Sequence, residues 1–293
     1  MSVKFQGSMV AIATPIKGSY IDYPSFENLL EFHIENGSDA IVVAGTTGES
    51  ATLDINEHRE VLHFAVEVVR QRVAVIAGTG ANSTAEAIKL TEFAEHAEAD
   101  ACLSVTPYYN KPTQEGLYHH YRSIAEAVDM PQILYNVPGR TACDMLPETV
   151  QRLSEIDNII GIKETVSLSR MQQIRDLCGD DFALYSGEDA LAAEAILQGA
   201  DGVISVTANV APALMHRLCV AALNGDRQSA EEIDQLLQPL HKALFLESNP
   251  IPVKWALTQM ALMTNDIRLP LTILSATHRQ AVADAMKHAG IEL

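Results

Sequence analysis

The apolar run Ile159-Ile160-Gly161-Ile162 is followed at once by Lys163, Glu164 and Thr165. An ammonium set among isoleucines is costly unless it is paired or gives up its proton. A desolvated lysine that is a free amine near neutral pH attacks a ketone and forms a Schiff base, which makes Lys163 a candidate nucleophile. On this stretch alone an edge-strand lysine paired with a neighbouring carboxylate is the other reading. Carbinolamine formation and dehydration need a proton shuttle, for which hydroxyls on a short hydrogen-bonded chain suffice. Thr46, Thr47, Tyr108, Tyr109 and Tyr135 carry hydroxyls of this kind. The glycine-bracketed pair in Gly45-Thr46-Thr47-Gly48-Glu49 offers hydroxyls and backbone amides to a keto-acid carboxylate. A second acidic substrate needs a bidentate cation, and Arg140 closes the stretch Tyr135-Asn136-Val137-Pro138-Gly139-Arg140.

These groups need a scaffold that brings distant stretches to one mouth. Eight short apolar, β-branched runs recur along the chain: Met9 to Pro15, Ala40 to Gly45, Val73 to Gly78, Ala101 to Pro107, Gln132 to Pro138, Ile159 to Thr165, Phe182 to Gly187 and Gly202 to Thr207. Without period-two alternation they are predicted to be buried on both faces, as in a parallel sheet covered by helices. Between them lie stretches of helical length. Asp22 with Pro24, Asp54 with Glu57, and Ser83 with Glu86 are expected helix starts, the last two as capping boxes, and Gly37, Gly179 and Gly199 are expected C-terminal caps. Eight such units predict an α/β fold, a (β/α)8 TIM barrel over residues 1–224. A doubly wound open sheet is the alternative, and no Gly-x-Gly-x-x-Gly follows the first strand. After Asn224-Gly225-Asp226 the strands stop. Ala230 to Leu246, Ile251 to Met263 and Leu271 to His288 are read as three helices, so residues 225–293 form a small C-terminal helical extension.

In such a barrel the chemistry sits at the C-terminal strand ends. Those of the second, fourth, fifth, sixth and eighth runs carry Thr46 and Thr47, Tyr108 to Lys111, Tyr135 to Arg140, Lys163, and Gly202 to Ser205. Each has a bland reading, such as a tight turn, a core tyrosine or a solvated arginine. Their convergence on one mouth favours the chemical one. Metal-dependent aldol chemistry would need clustered histidines or carboxylates. None of the ten histidines falls in a strand candidate, and His119 and His120, adjacent on a helix, point apart. No metal and no cofactor are expected, and the substrates read as carboxylates rather than phosphates.

Length and composition suit one large domain or a domain with an appendix: 293 residues, 47% hydrophobic, with aromatics only 5%, so aliphatic side chains must fill the core. The net charge of −18 argues against nucleic acid and anionic membranes as partners. Cys102, Cys143, Cys178 and Cys219 stand singly, which fits small buried hydrophobes in a reducing compartment. Met1 to Val10 holds no apolar signal core and no run approaches membrane-spanning length, so a cytoplasmic location is expected.

Gly45-Thr46-Thr47-Gly48-Glu49-Ser50, Tyr108-Tyr109-Asn110-Lys111-Pro112, Tyr135-Asn136-Val137-Pro138-Gly139-Arg140-Thr141, Gly161-Ile162-Lys163-Glu164 and Gly202-Val203-Ile204-Ser205-Val206 together resemble the motif set of the dihydrodipicolinate synthase family over nearly the whole chain. The resemblance implies a pyruvate-dependent class I lyase of lysine (diaminopimelate) biosynthesis, a homotetramer built as a dimer of tight dimers. It implies that Lys163 forms the imine with pyruvate, held by Thr47 and the carbonyl of Ile204. Tyr135 would be proton donor and acceptor, linked through Thr46 to Tyr109, which crosses the tight-dimer interface into the neighbouring site. Arg140 would bind the carboxylate of L-aspartate 4-semialdehyde. Ser50, Ala51, His58, Asn82, Glu86 and Tyr108 match the site at which inhibited relatives bind L-lysine, although Ile55 stands where some of them carry histidine. N-acetylneuraminate lyase and the keto-deoxy sugar acid aldolases share the lysine and the tyrosine; Thr46-Thr47 and Gly139-Arg140 favour the synthase. A non-catalytic keto-acid-binding regulator would be expected to have lost Lys163 or Tyr135, and both are present.

Overall fold

The first helices are started by side chains that stand in for missing intrahelical partners. Asp22 accepts a hydrogen bond from the Ser25 amide and opens α1 (Tyr23–Glu35), with Pro24 in the first turn, where no N–H is needed. Asp54 and Glu57 form a complete capping box at the start of α2 (Ile55–Val69). At α3 (Thr84–His96) the expected box does not form: the Ser83 hydroxyl makes no capping bond. The Glu86 amide donates to the Ser83 carbonyl instead, at 3.1 Å, and the Glu86 carboxylate lies in the field of His58 and Tyr108.

All eight apolar runs are strands. They are β1 (Gly7–Ala11), β2 (Ala40–Val43), β3 (Ala74–Gly78), β4 (Ala101–Val105), β5 (Gln132–Asn136), β6 (Ile159–Glu164), β7 (Ala183–Ser186) and β8 (Gly202–Ser205). Residues 5–292 are described by the structure, a computed structural model, so part of the reading of Met1 to Val10 lies outside the described residues. Neighbours in sequence pair in parallel, and β1 pairs with both β2 and β8, which closes the barrel. Besides a single helical turn at Pro138–Thr141, the remaining barrel helices are α4 (Gln114–Ala125), α5 (Pro147–Ser154), α6 (Leu168–Cys178), α7 (Ala192–Leu197) and α8 (Pro212–Leu223).

Alternate residues of a strand enter two different cores. Met9, Val42, Ile76, Leu103, Ile133 and Ile204 fill the barrel interior. Val10, Ile41, Val75, Leu134, Ile162 and Val203 pack outward against the helices. Both faces of each strand are dry, which is why the sequence shows no polar alternation. Cys102, Cys143 and Cys219 are buried as expected, whereas Cys178, at the end of α6, is only half-buried.

The C-terminal extension comprises α9 (Arg227–Ala243), α10 (Ile251–Gln259) and α11 (Ala276–His288). Its helices differ at their ends from the sequence reading. The first begins three residues earlier because Asp226 caps it through the Ser229 amide. The second stops at Gln259, where Ala261 takes a left-handed φ of 57°. The third begins at Ala276 rather than Leu271, after an extended Ser275. Among the described residues no helix is long and apolar enough to cross a membrane.

Candidate active site

The strand register places Tyr135 of β5 directly beside Lys163 of β6, and Lys163 beside Tyr185 of β7. Register partners share a face of the sheet, and this face is the barrel interior. Lys163 is only 5% exposed, and its Nζ stands 4.4 Å from the centroid of the Tyr135 ring, within cation–π range. The solvated edge-strand reading of this lysine is therefore wrong: in a closed barrel β6 has no free edge. Gly187, just beyond β7, makes room for the lysine stem. A Cβ there would come within 2.9 Å of Lys163 Cε and 2.5 Å of Thr165 Cγ2.

A cavity of about 80 Å³ opens at the C-terminal strand ends, lined by Lys163, Tyr135, Thr46, Thr47 and Arg140. One water needs roughly 10–15 Å³ on this measure, so a small acid fits. Of the nine non-glycine residues with positive φ among the described residues, Ala44, Glu49, Tyr109, Lys111 and Ala142 lie in the loops after β2, β4 and β5. Strain is thus concentrated on the face that carries the polar groups.

The C-terminal extension holds this face in place. Asn249 donates its Nδ2 to Thr47 Oγ1 at 3.0 Å, and its backbone carbonyl accepts Arg140 Nη2 at 3.3 Å. Lys254 of α10 donates to Glu49 in an ion pair buried on both sides, and Glu49 Oε2 accepts the Arg268 amide at 3.0 Å. Arg268 also binds Glu57 in a bidentate pair, with both distances 2.6 Å. The threonine pair is therefore clamped from outside the barrel.

Three contributors escape a reading of the sequence. Gly187 and Glu188 follow β7 directly, and a survey of that strand end would have found both; Glu188 lines the cavity. Asn249 carries no local signal beyond the turn it makes with Pro250.

The remaining expected residues are placed as follows. Ile204 packs in the inner core, while Val206, two residues on, lines the cavity. Tyr109 stays outside its own cavity and is 89% exposed. Asn82 donates to the Tyr108 carbonyl at 3.2 Å, and Asn110 donates to the Asn82 carbonyl at 2.8 Å, which ties the loops after β3 and β4 together. His58 bonds the Gly78 carbonyl through Nε2 at 2.8 Å. Burial holds its imidazole below the usual range, opposed by that bond and by Glu86. Burial and, secondarily, Glu86 push the Tyr108 hydroxyl up. His58, Glu86 and Tyr108 are thus one neighbourhood. Ser50 borders the cavity itself, and Ala51 is exposed beside it.

The profile of the dihydrodipicolinate synthetase family matches residues 4–289. The chain belongs to this family. It is 62% identical over 288 residues to the 4-hydroxy-tetrahydrodipicolinate synthase of Methylococcus capsulatus, covering 98% of this chain and 99% of that one. The chloride-inhibited dihydrodipicolinate synthase of Acinetobacter baumannii, solved complexed with pyruvate, superposes with a TM-score of 0.97 at 52% identity, over 98% of this chain and 100% of that one. The enzyme of Cyanidioschyzon merolae, solved with lysine bound, superposes with a TM-score of 0.95 at 41% identity, over 98% and 99% of the two chains. The dihydrodipicolinate synthetase family is thus matched in sequence and in fold along nearly all of the chain.

Proposed function

We propose that this chain catalyses the 4-hydroxy-tetrahydrodipicolinate synthase reaction, a lyase step of lysine biosynthesis, in the cytoplasm. The buried Lys163, set against Tyr135 at the floor of a cavity sized for a small acid, is the observation that carries this reading. The Lys163 amine adds to the ketone of pyruvate, and loss of water leaves an imine. Removal of a proton from the methyl carbon gives an enamine, which attacks the aldehyde carbon of L-aspartate 4-semialdehyde. The amine of the adduct then displaces Lys163 as the ring closes, and the free lysine returns.

In this reading Thr47 donates to the pyruvate carboxylate, and the carbonyl of Ile204 helps hold the pyruvate. The Tyr135 hydroxyl gives and takes protons. Arg140 takes the carboxylate of the aldehyde substrate. Thr46 links Tyr135 to Tyr109 of a second copy, and the exposure of Tyr109 outside its own cavity supports a shared site in a homotetramer. Ser50, Ala51, His58, Asn82, Glu86 and Tyr108 form the site for L-lysine as an inhibitor, supported by the proximity of His58, Glu86 and Tyr108.

The test is steady-state turnover of pyruvate and L-aspartate 4-semialdehyde, followed through an NADPH-dependent reductase of the cyclic product, with and without L-lysine. Turnover is expected, lowered by lysine. Borohydride trapping of pyruvate on Lys163 without turnover would transfer the assignment to a sugar acid aldolase.

A further inference from the structure

The reaction assigned to this site accounts for Lys163, Tyr135, the threonines and Arg140, but not for Glu188. This carboxylate lines both the inner cavity and the wider mouth above it, and Arg140 lines the same two spaces. Its backbone is fixed: the Glu188 amide donates to Ser186 Oγ at 3.2 Å, and its carbonyl accepts from the same hydroxyl at 2.9 Å. Its side chain is unspent, making no hydrogen bond or ion pair among the described residues. Burial, then repulsion from Asp189, pushes the carboxyl above the usual range, while Lys163 and Arg140 pull it back. An anion held here without a partner is stabilised by an arriving cation.

An α-amino acid carries a carboxylate and an ammonium on one carbon. A guanidinium and a free carboxylate on one wall are its complement. We propose that Glu188 is the specificity-determining residue that receives the α-ammonium of the aldehyde substrate while Arg140 holds its carboxylate. The pair selects an amino-bearing aldehyde over the same acid aldehyde without nitrogen, and it turns the amine toward the carbon it must later attack. This inference rests on the synthase reading above.

The experiment compares wild type with Glu188→Gln and Glu188→Asp. Three quantities are read: the KM for L-aspartate 4-semialdehyde, competitive inhibition by succinate semialdehyde, which lacks only the amine, and borohydride trapping of pyruvate. Glu188→Gln is expected to raise the KM for the amino aldehyde by about tenfold or more, as loss of a charge-assisted contact implies. Inhibition by succinate semialdehyde and pyruvate trapping stay near wild type, and Glu188→Asp recovers part of the loss. Equal weakening toward both aldehydes would assign Glu188 to holding Arg140. Weakened trapping would make it the counter-ion of Lys163, and an unchanged KM would leave it with no part in recognition; each of these three overturns the proposal alone. Absence of wild-type turnover removes the synthase reading and this inference together.

Discussion

Tyr135 and Lys163 face each other because β6 carries one residue more than β5 at their lower ends. Gln132 pairs with Ile159, but Ile133 pairs with Gly161, so the register slips at this point. Carried upward without the slip, the pairing would set Tyr135 beside Ile162, whose side chain belongs to the outer core. A one-residue shift exchanges the two faces of a strand, and the bulge spends that shift on bringing the lysine inside.

The ring and hydroxyl of Tyr135 are therefore separable. Tyr135→Phe keeps the ring over Lys163 and is expected to lower kcat by about 100-fold or more, the range of a lost proton-transfer group, with little change in melting temperature. Lys163→Ala should give no borohydride-trapped pyruvate adduct by mass spectrometry. A wild-type yield of adduct on that variant would remove the nucleophile assignment.

Arg140→Ala should weaken use of L-aspartate 4-semialdehyde far more than pyruvate trapping. A bidentate charge contact is worth about 1.5–3 kcal/mol, so kcat/KM for the aldehyde is expected to drop about 10- to 100-fold. Equal damage to both steps contradicts the role.

Gly187→Ala tests whether the lysine needs the space. The added Cβ would stand 2.9 Å from Lys163 Cε, so the stem must move. Trapping by pyruvate should slow markedly while the far-ultraviolet circular dichroism spectrum keeps its wild-type shape. A variant that traps pyruvate at the wild-type rate would show that the stem yields without cost.

Lys254→Met leaves Glu49 buried without its ammonium partner. Breaking a buried ion pair on one side costs about 3–5 kcal/mol, readable as a lowered urea midpoint. The double variant Lys254→Met/Glu49→Gln should recover part of that loss. Because Glu49 lies two residues after Thr47 in the same loop, activity of the single variant should fall before global unfolding.

Acid should weaken the fold partly through His33. Fully buried in α1, with Nδ1 3.1 Å from Ser38 Oγ, its imidazole is depressed by burial from 6.5 to about 3. A histidine whose folded pKa lies below its unfolded value leaves the unfolded chain holding the extra proton between the two. Its contribution is complete above pH 6.5 and is lost as pH falls toward 3, at ~1.4 kcal/mol per pH unit for one proton. His33→Gln should flatten the urea midpoint over that window; an unchanged slope would rule the group out.

Much of the site could be read from local chemistry. Lys163 declares itself by following an isoleucine-rich run, Asp54 and Glu57 by their spacing, and the strands by length and β-branching, because each depends on residues a few positions apart. Ser83 and Glu86 have the spacing of a capping box yet do not form one, and Glu86 shares a neighbourhood with His58 and Tyr108 of other elements. Nothing local links Asn249 to Thr47, 202 residues earlier, or Lys254 to Glu49, 205 residues earlier. The sequence by itself determined eight doubly buried strands, a candidate nucleophile and the family to which the chain belongs. Only the tertiary structure decided that Lys163 points inward beside Tyr135 and that the C-terminal extension clamps the threonine loop. Register and long-range pairing are set by closure of the barrel and by which charges lose water together, and neither is encoded in any short stretch of chain.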